Sequence, residues 1–64
     1  MATTFKVTKT TPAYDFTQNV EVLLTPGTIL DIVTITDKSG VFKTSTGNEV
    51  SVNFDFSKNL QKVS

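Results

Sequence analysis

VEVLLTPGTILDIVTIT, residues 20–36, sets two apolar, β-branched runs on either side of Thr25-Pro26-Gly27-Thr28. Proline at the second position of a turn presets φ at about −65°, and glycine at the third accepts the positive φ that a type II turn needs. The flanks Val20 to Leu24 and Ile29 to Thr36 are good strand formers and too short to span a bilayer. The stretch predicts a strand, a tight turn and a longer central strand. The rest of the chain is placed by what it can pair with or pack on.

Downstream, Asp37-Lys38-Ser39-Gly40 reads as a turn with Gly40 at its left-handed position, and Val41 to Ser45 as the next strand. Thr46-Gly47-Asn48 is a hairpin tip. From Glu49 to Phe56 the pattern alternates, with Val50, Val52, Phe54 and Phe56 on one face and Ser51, Asn53 and Asp55 on the other. That assigns Phe54 and Phe56 to the core. Ser57 to Leu60 reads as a 3₁₀ turn capped by Ser57, and residues 61–64 are short enough to pair with the N-terminal strand. Upstream, Phe5-Lys6-Val7-Thr8 alternates as a first strand. The piece from Thr10 to Phe16 is an edge or an extended loop entry, because Pro12 has no N–H for a central ladder. If it is extended, Tyr14 and Phe16 share a face.

The chain is expected to be one all-β domain over residues 1–64. Short strands separated by frequent turns suit a small barrel, and closure into a five-stranded barrel removes edges that a tiny sandwich cannot protect. Twelve threonines fit half-buried strand surfaces. With neither Cys nor His, the chain has no disulfide and no thiolate or imidazole metal site. Absence of cysteine suits the cytosol and equally a bacterial surface that avoids disulfides. Six Lys balance six acidic residues and Arg is absent, which argues against nucleic acid as a partner. No apolar run is long enough for membrane insertion, and Met1 to Thr4 begins no apolar leader.

EVLLTPGTILDIV, residues 21–33, resembles the diverging turn of Src-homology-3 barrels; Ala13-Tyr14-Asp15-Phe16 resembles their aromatic-Asp-aromatic opening, and Phe56 to Leu60 their 3₁₀ turn. The family's tryptophan is replaced at Val41-Phe42, and its Pro and Tyr at the 3₁₀ turn by Ser57 and Leu60, which points away from polyproline ligands. Together with Thr11 to Asp15, Leu24 to Thr28 and Phe42 to Asn48, the chain is similar to the bacterial branch found in repeats of Gram-positive surface proteins. That resemblance implies attachment to a wall glycopolymer or another cell surface. Such binders are usually basic, and this chain is neutral.

The chemistry inventory points to a non-catalytic binding module with no cofactor. A triad, a Cys–His pair and a zinc site are all excluded by composition. Asp37 and Glu49 sit in turns, the other acidic residues, Asp15 among them, are isolated on the solvent faces of strands, and no calcium-loop spacing occurs. Tyr14, Phe16 and Phe42 are the candidate ligand shelf, although aromatics in so small a fold are more often core. Tyr14 leads, because its hydroxyl needs water or a partner. Asn53 joins them from the polar row, set against the reading of an ordinary wet sheet face. Lys6, Lys9, Lys58 and Lys62 form a candidate basic patch if the termini pair; lysines there also guard a strand edge. The expected partner is a wall glycopolymer or a protein surface. The alternative is a small cytoplasmic phage- or plasmid-type protein docking on a host protein, and nucleic-acid binding comes third. Placement at the cell surface follows if this is a module of a larger exported protein, and in the cytoplasm if Met1 is the natural start.

Overall fold

The computed structural model describes residues 3–63, so Met1, Ala2 and Ser64 lie outside it. Seven strands follow one another: β1 (Thr4–Val7), β2 (Thr11–Asp15), β3 (Val20–Leu24), β4 (Ile29–Ile35), β5 (Ser39–Thr44), β6 (Glu49–Asn53) and β7 (Leu60–Lys62). A 3₁₀ turn, Phe54–Asn59, joins β6 to β7. The all-β class and the 3₁₀ turn near the C-terminus agree with expectation. The five-stranded barrel does not. All seven strands lie in one open sheet of order β3-β2-β6-β5-β4-β1-β7, in which β3 and β7 are the unpaired ends.

The difference begins at Pro12. Thr11–Asp15 is a full strand, paired with β3 from Thr11↔Leu24 to Asp15↔Val20. In an antiparallel ladder, alternate residues turn both backbone groups to the same neighbour. Phe16 N–H donates to the Glu49 carbonyl at 2.9 Å, so even-numbered residues here face β6. Pro12 therefore directs its missing N–H toward β6, and the β2–β6 ladder stops after Tyr14↔Ser51 and Asp15↔Val50. Proline is tolerated because that side of β2 is open at this point.

The sheet curls around its apolar face. Its smallest extent is 24 Å, where a flat single sheet would be about 10 Å deep. Val7, Ala13, Leu24, Leu30, Phe42, Val50 and Val52 form the buried core, with Phe5, Val22, Ile32, Phe56 and Leu60 packed around it. Residues of the end strand β3 and of the opposite end, Leu60, thus serve one core. A bulge at Val33 shifts the β4–β5 register between Ile32↔Phe42 and Thr34↔Val41. It bends β4, whose first half, Ile29 to Asp31, pairs with β1 while Leu30 to Ile35 follow β5.

The turn at Thr25–Thr28 is as read: Gly27 has φ 95° and Thr28 N–H reaches the Thr25 carbonyl at 3.2 Å. Gly27 N–H also donates to the Val7 carbonyl at 2.7 Å, tying the turn to β1. Gly40 is not in a left-handed turn. It lies within β5, paired with Ile35 and Val52. Glycine is required there because a Cβ would fall 2.8 Å from Cε1 of the Phe42 ring. That ring is 4% exposed and stands edge-on to Phe5 at 5.6 Å, so it has no room to yield. Gly40→Ala is expected to cost about 1–3 kcal/mol by overpacking, read as a lower urea midpoint at unchanged m-value.

The alternation read through Phe56 ends early. Asn53 leaves β6 and its Oδ1 accepts from Asp55 N–H at 2.8 Å, capping the 3₁₀ turn in place of Ser57. The period changes at that cap, so Phe54 is 38% exposed and Phe56 only partly buried.

Candidate functional site

A groove of about 390 Å³ opens where β2 parts from β6. Its floor and walls come from Pro12, Ala13 and Tyr14 of β2, Glu21 of β3, Lys38 of the β4–β5 turn, Ser39 at the start of β5, and Ser51 and Asn53 of β6. The geometry follows from Pro12: with the ladder ended at Tyr14↔Ser51, the last two residues of β6 are unpaired with β2 and leave a concavity. Glu21 sits directly across from Tyr14 in the β2–β3 ladder, and Lys38 approaches from the β4–β5 turn. One acid and one base therefore stand on different walls.

Tyr14 and Phe16 are exposed and make an edge-to-face pair, with ring centroids 5.3 Å apart and planes at 66°. Such a pair holds both rings in place while keeping aromatic surface available. Phe42 does not join them. It is in the core, and its ring packs against Phe5. Asn53 lines the groove, with its side-chain oxygen used as the cap and its amide N–H groups making no hydrogen bond among the described residues. The expected shelf is thus reduced to Tyr14 and Phe16, with Asn53 beside them.

The four lysines are not one patch. β1 and β7 do pair, with Phe5↔Lys62 and Lys6↔Gln61. Paired residues share a face and neighbours along a strand do not, so Lys6 and Lys62 lie on opposite faces. Thr8 N–H donates to the Asn59 carbonyl at 2.7 Å, which brings only the Lys9 and Lys58 segments side by side.

Asp15, read from sequence as solvent-facing, is 3% exposed. Its Oδ1 accepts from Gln18 N–H and its Oδ2 from Asn48 Nδ2, each at 3.0 Å. Both oxygens are engaged in joining the β2–β3 turn to the β5–β6 turn. Among the described residues, no three acidic side chains gather in a metal-ligating cluster, and no helix is long and apolar enough to cross a membrane.

Lys38, Ser39 and Glu21 carry no signal of their own in the sequence, and Ser51 only its place in the polar row with Asn53; only the fold collects them. Pro12 was the available pointer, since a proline inside a strand marks where a ladder stops. A second, smaller cavity of about 100 Å³ opens at the edge of the core between Phe5, Ile32, Phe42, Val52, Phe54 and Leu60. No known family model matches the chain, and comparison with curated proteins and with solved structures finds no similar one.

Proposed function

We propose that the protein is a non-catalytic binding module that attaches to a bacterial cell surface by holding a glycan strand of the wall in the groove beside Tyr14. The observation that carries this reading is the exposed Tyr14–Phe16 pair at the rim of a groove furnished with hydroxyls and a side-chain amide. Aromatic faces bury the apolar side of a ligand, while Ser39, Ser51 and Asn53 supply a few oriented polar groups. Glu21 opposite Lys38 offsets the local charge, in keeping with a chain of zero net charge, so the ligand is better neutral than polyanionic. The turn at Thr25–Thr28, the surface aromatics around Asp15 and the 3₁₀ turn before the last strand support the resemblance to bacterial Src-homology-3-like modules.

The test is co-sedimentation with Gram-positive cell walls, intact and stripped of teichoic acid. The protein is expected to pellet with both. Tyr14→Ala is expected to weaken pelleting by about tenfold or more while melting close to the parent, because the ring is on the surface. Failure to pellet under either condition overturns the proposal in favour of a cytoplasmic protein partner. Pelleting that vanishes on teichoic acid removal replaces the neutral glycan by a polyanion.

A further inference from the structure

The sheet has two ends, and they are not alike. β7 is three residues long and carries Lys62, the usual devices that discourage edge pairing. β3, VEVLL, is five residues with no lysine, proline or bulge. Its pairing to β2 uses the backbone groups of Val20, Val22 and Leu24, so those of Glu21 and Leu23 face outward. Among the described residues no backbone hydrogen bond from elsewhere in the chain reaches either one. Leu23, at 67%, is the most exposed large hydrophobic side chain among the described residues, and Val20 is 45% exposed.

We infer that this edge pairs with the same edge of a second copy, antiparallel about a two-fold axis at Val22, joining two sheets into one. A second copy brings a strand of the same length with the same two outward-facing residues, Glu21 and Leu23, and this symmetry fixes the register. Antiparallel partners must present backbone groups in the same sense, so residues of like parity stand opposite each other. Centring on Val22 puts Glu21 opposite the partner's Leu23 and gives each pair both of its hydrogen bonds. It also places Val20 against Leu24 and Val22 against itself, so the apolar face continues across the junction. Centring on Glu21 would oppose two carboxylates. Centring on Leu23 would draw Pro26 and its turn into the ladder. A chain of zero net charge puts no long-range repulsion between copies.

Sedimentation equilibrium from micromolar to millimolar protein reads the prediction directly, and a dimer is expected within that range. Leu23→Glu sets two carboxylate pairs across the junction and should weaken the dimer by about tenfold. Leu23→Lys faces Glu21 of the other copy and should keep or tighten the dimer at low salt, with the gain lost at high salt. A parent protein that stays monomeric, or a dimer that Leu23→Glu leaves unchanged, overturns the inference. Equal dissociation by Leu23→Lys and Leu23→Glu overturns the register. Hydrogen exchange of the unaltered protein is the check independent of variant folding: the Glu21 and Leu23 amides should gain protection as concentration rises, and exchange that ignores concentration overturns the pairing.

Discussion

Phe42→Ala is expected to leave the protein largely unfolded at room temperature. The ring lies at the centre of the curl, 4% exposed, edge-on to Phe5 and in the same cluster as Val7, Leu30, Val50 and Val52. Emptying such a site costs about 3–5 kcal/mol, and a core in a chain of this size rarely supplies more than about 3–5 kcal/mol in total. The void cannot collapse easily, because strands on both sides of β5 hold their spacing by ladder hydrogen bonds. Far-UV circular dichroism across a urea titration would show the loss of the folded baseline. Phe54→Ala is the companion measurement. That ring is 38% exposed on the 3₁₀ turn, and its removal should leave a cooperative transition at a modestly lower midpoint. If the two variants behaved alike, the placement of Phe42 at the centre would be wrong.

Asp15→Ala carries the second large effect. The carboxylate satisfies a backbone N–H of the β2–β3 turn and the amide of Asn48 beyond β5, and it does so while almost wholly buried. Hydrogen bonds to charged groups contribute about 1.5–3 kcal/mol each, and the donors, on exposed Gln18 and half-buried Asn48, can turn to water once the carboxylate is gone. A loss of about 3 kcal/mol is expected, enough to halve the stability of so small a domain or worse. Asn48→Ala should remove one of the two bonds and cost less. In a double-mutant cycle the pair should show clear coupling, whereas additive losses would mean that the two side chains act separately.

These two residues also show where sequence reading succeeds and where it stops. The turn at Thr25–Thr28 was legible because its constraint is local: a fixed φ at Pro26 and a positive φ at Gly27. The pairing of β1 with β7 followed from length and alternation. Phe54 misled because alternation is informative only while the strand lasts, and the strand ends where the Asn53 side chain takes a backbone donor. Gly40 misled for the opposite reason. Its requirement is set by a ring two residues on, folded back beside it in the core, and no turn rule contains that. The burial of Asp15 depends on Asn48, thirty-three residues away. Within the candidate site, Tyr14 and Phe16 were legible as aromatics sharing a face of an extended segment, with only the Tyr14 hydroxyl arguing against a core position, and Pro12 held the reason for the groove. Phe42 was not separable from them without the bend that the Val33 bulge gives β4.

The junction of β1 and β7 also bears on how the domain can be used. Val63 N–H donates to the Thr4 carbonyl at 2.8 Å, so the described stretch begins and ends at almost the same point. A unit with adjacent entry and exit can be spliced into a surface loop of another protein while asking that loop to open by little more than one strand spacing. For the same reason its ends can be joined to each other and the chain reopened at the Thr46–Gly47 tip, which carries no part of the core. Connectivity and architecture are separable here: the curled sheet belongs to the strand order in space and not to the place where the polypeptide happens to start.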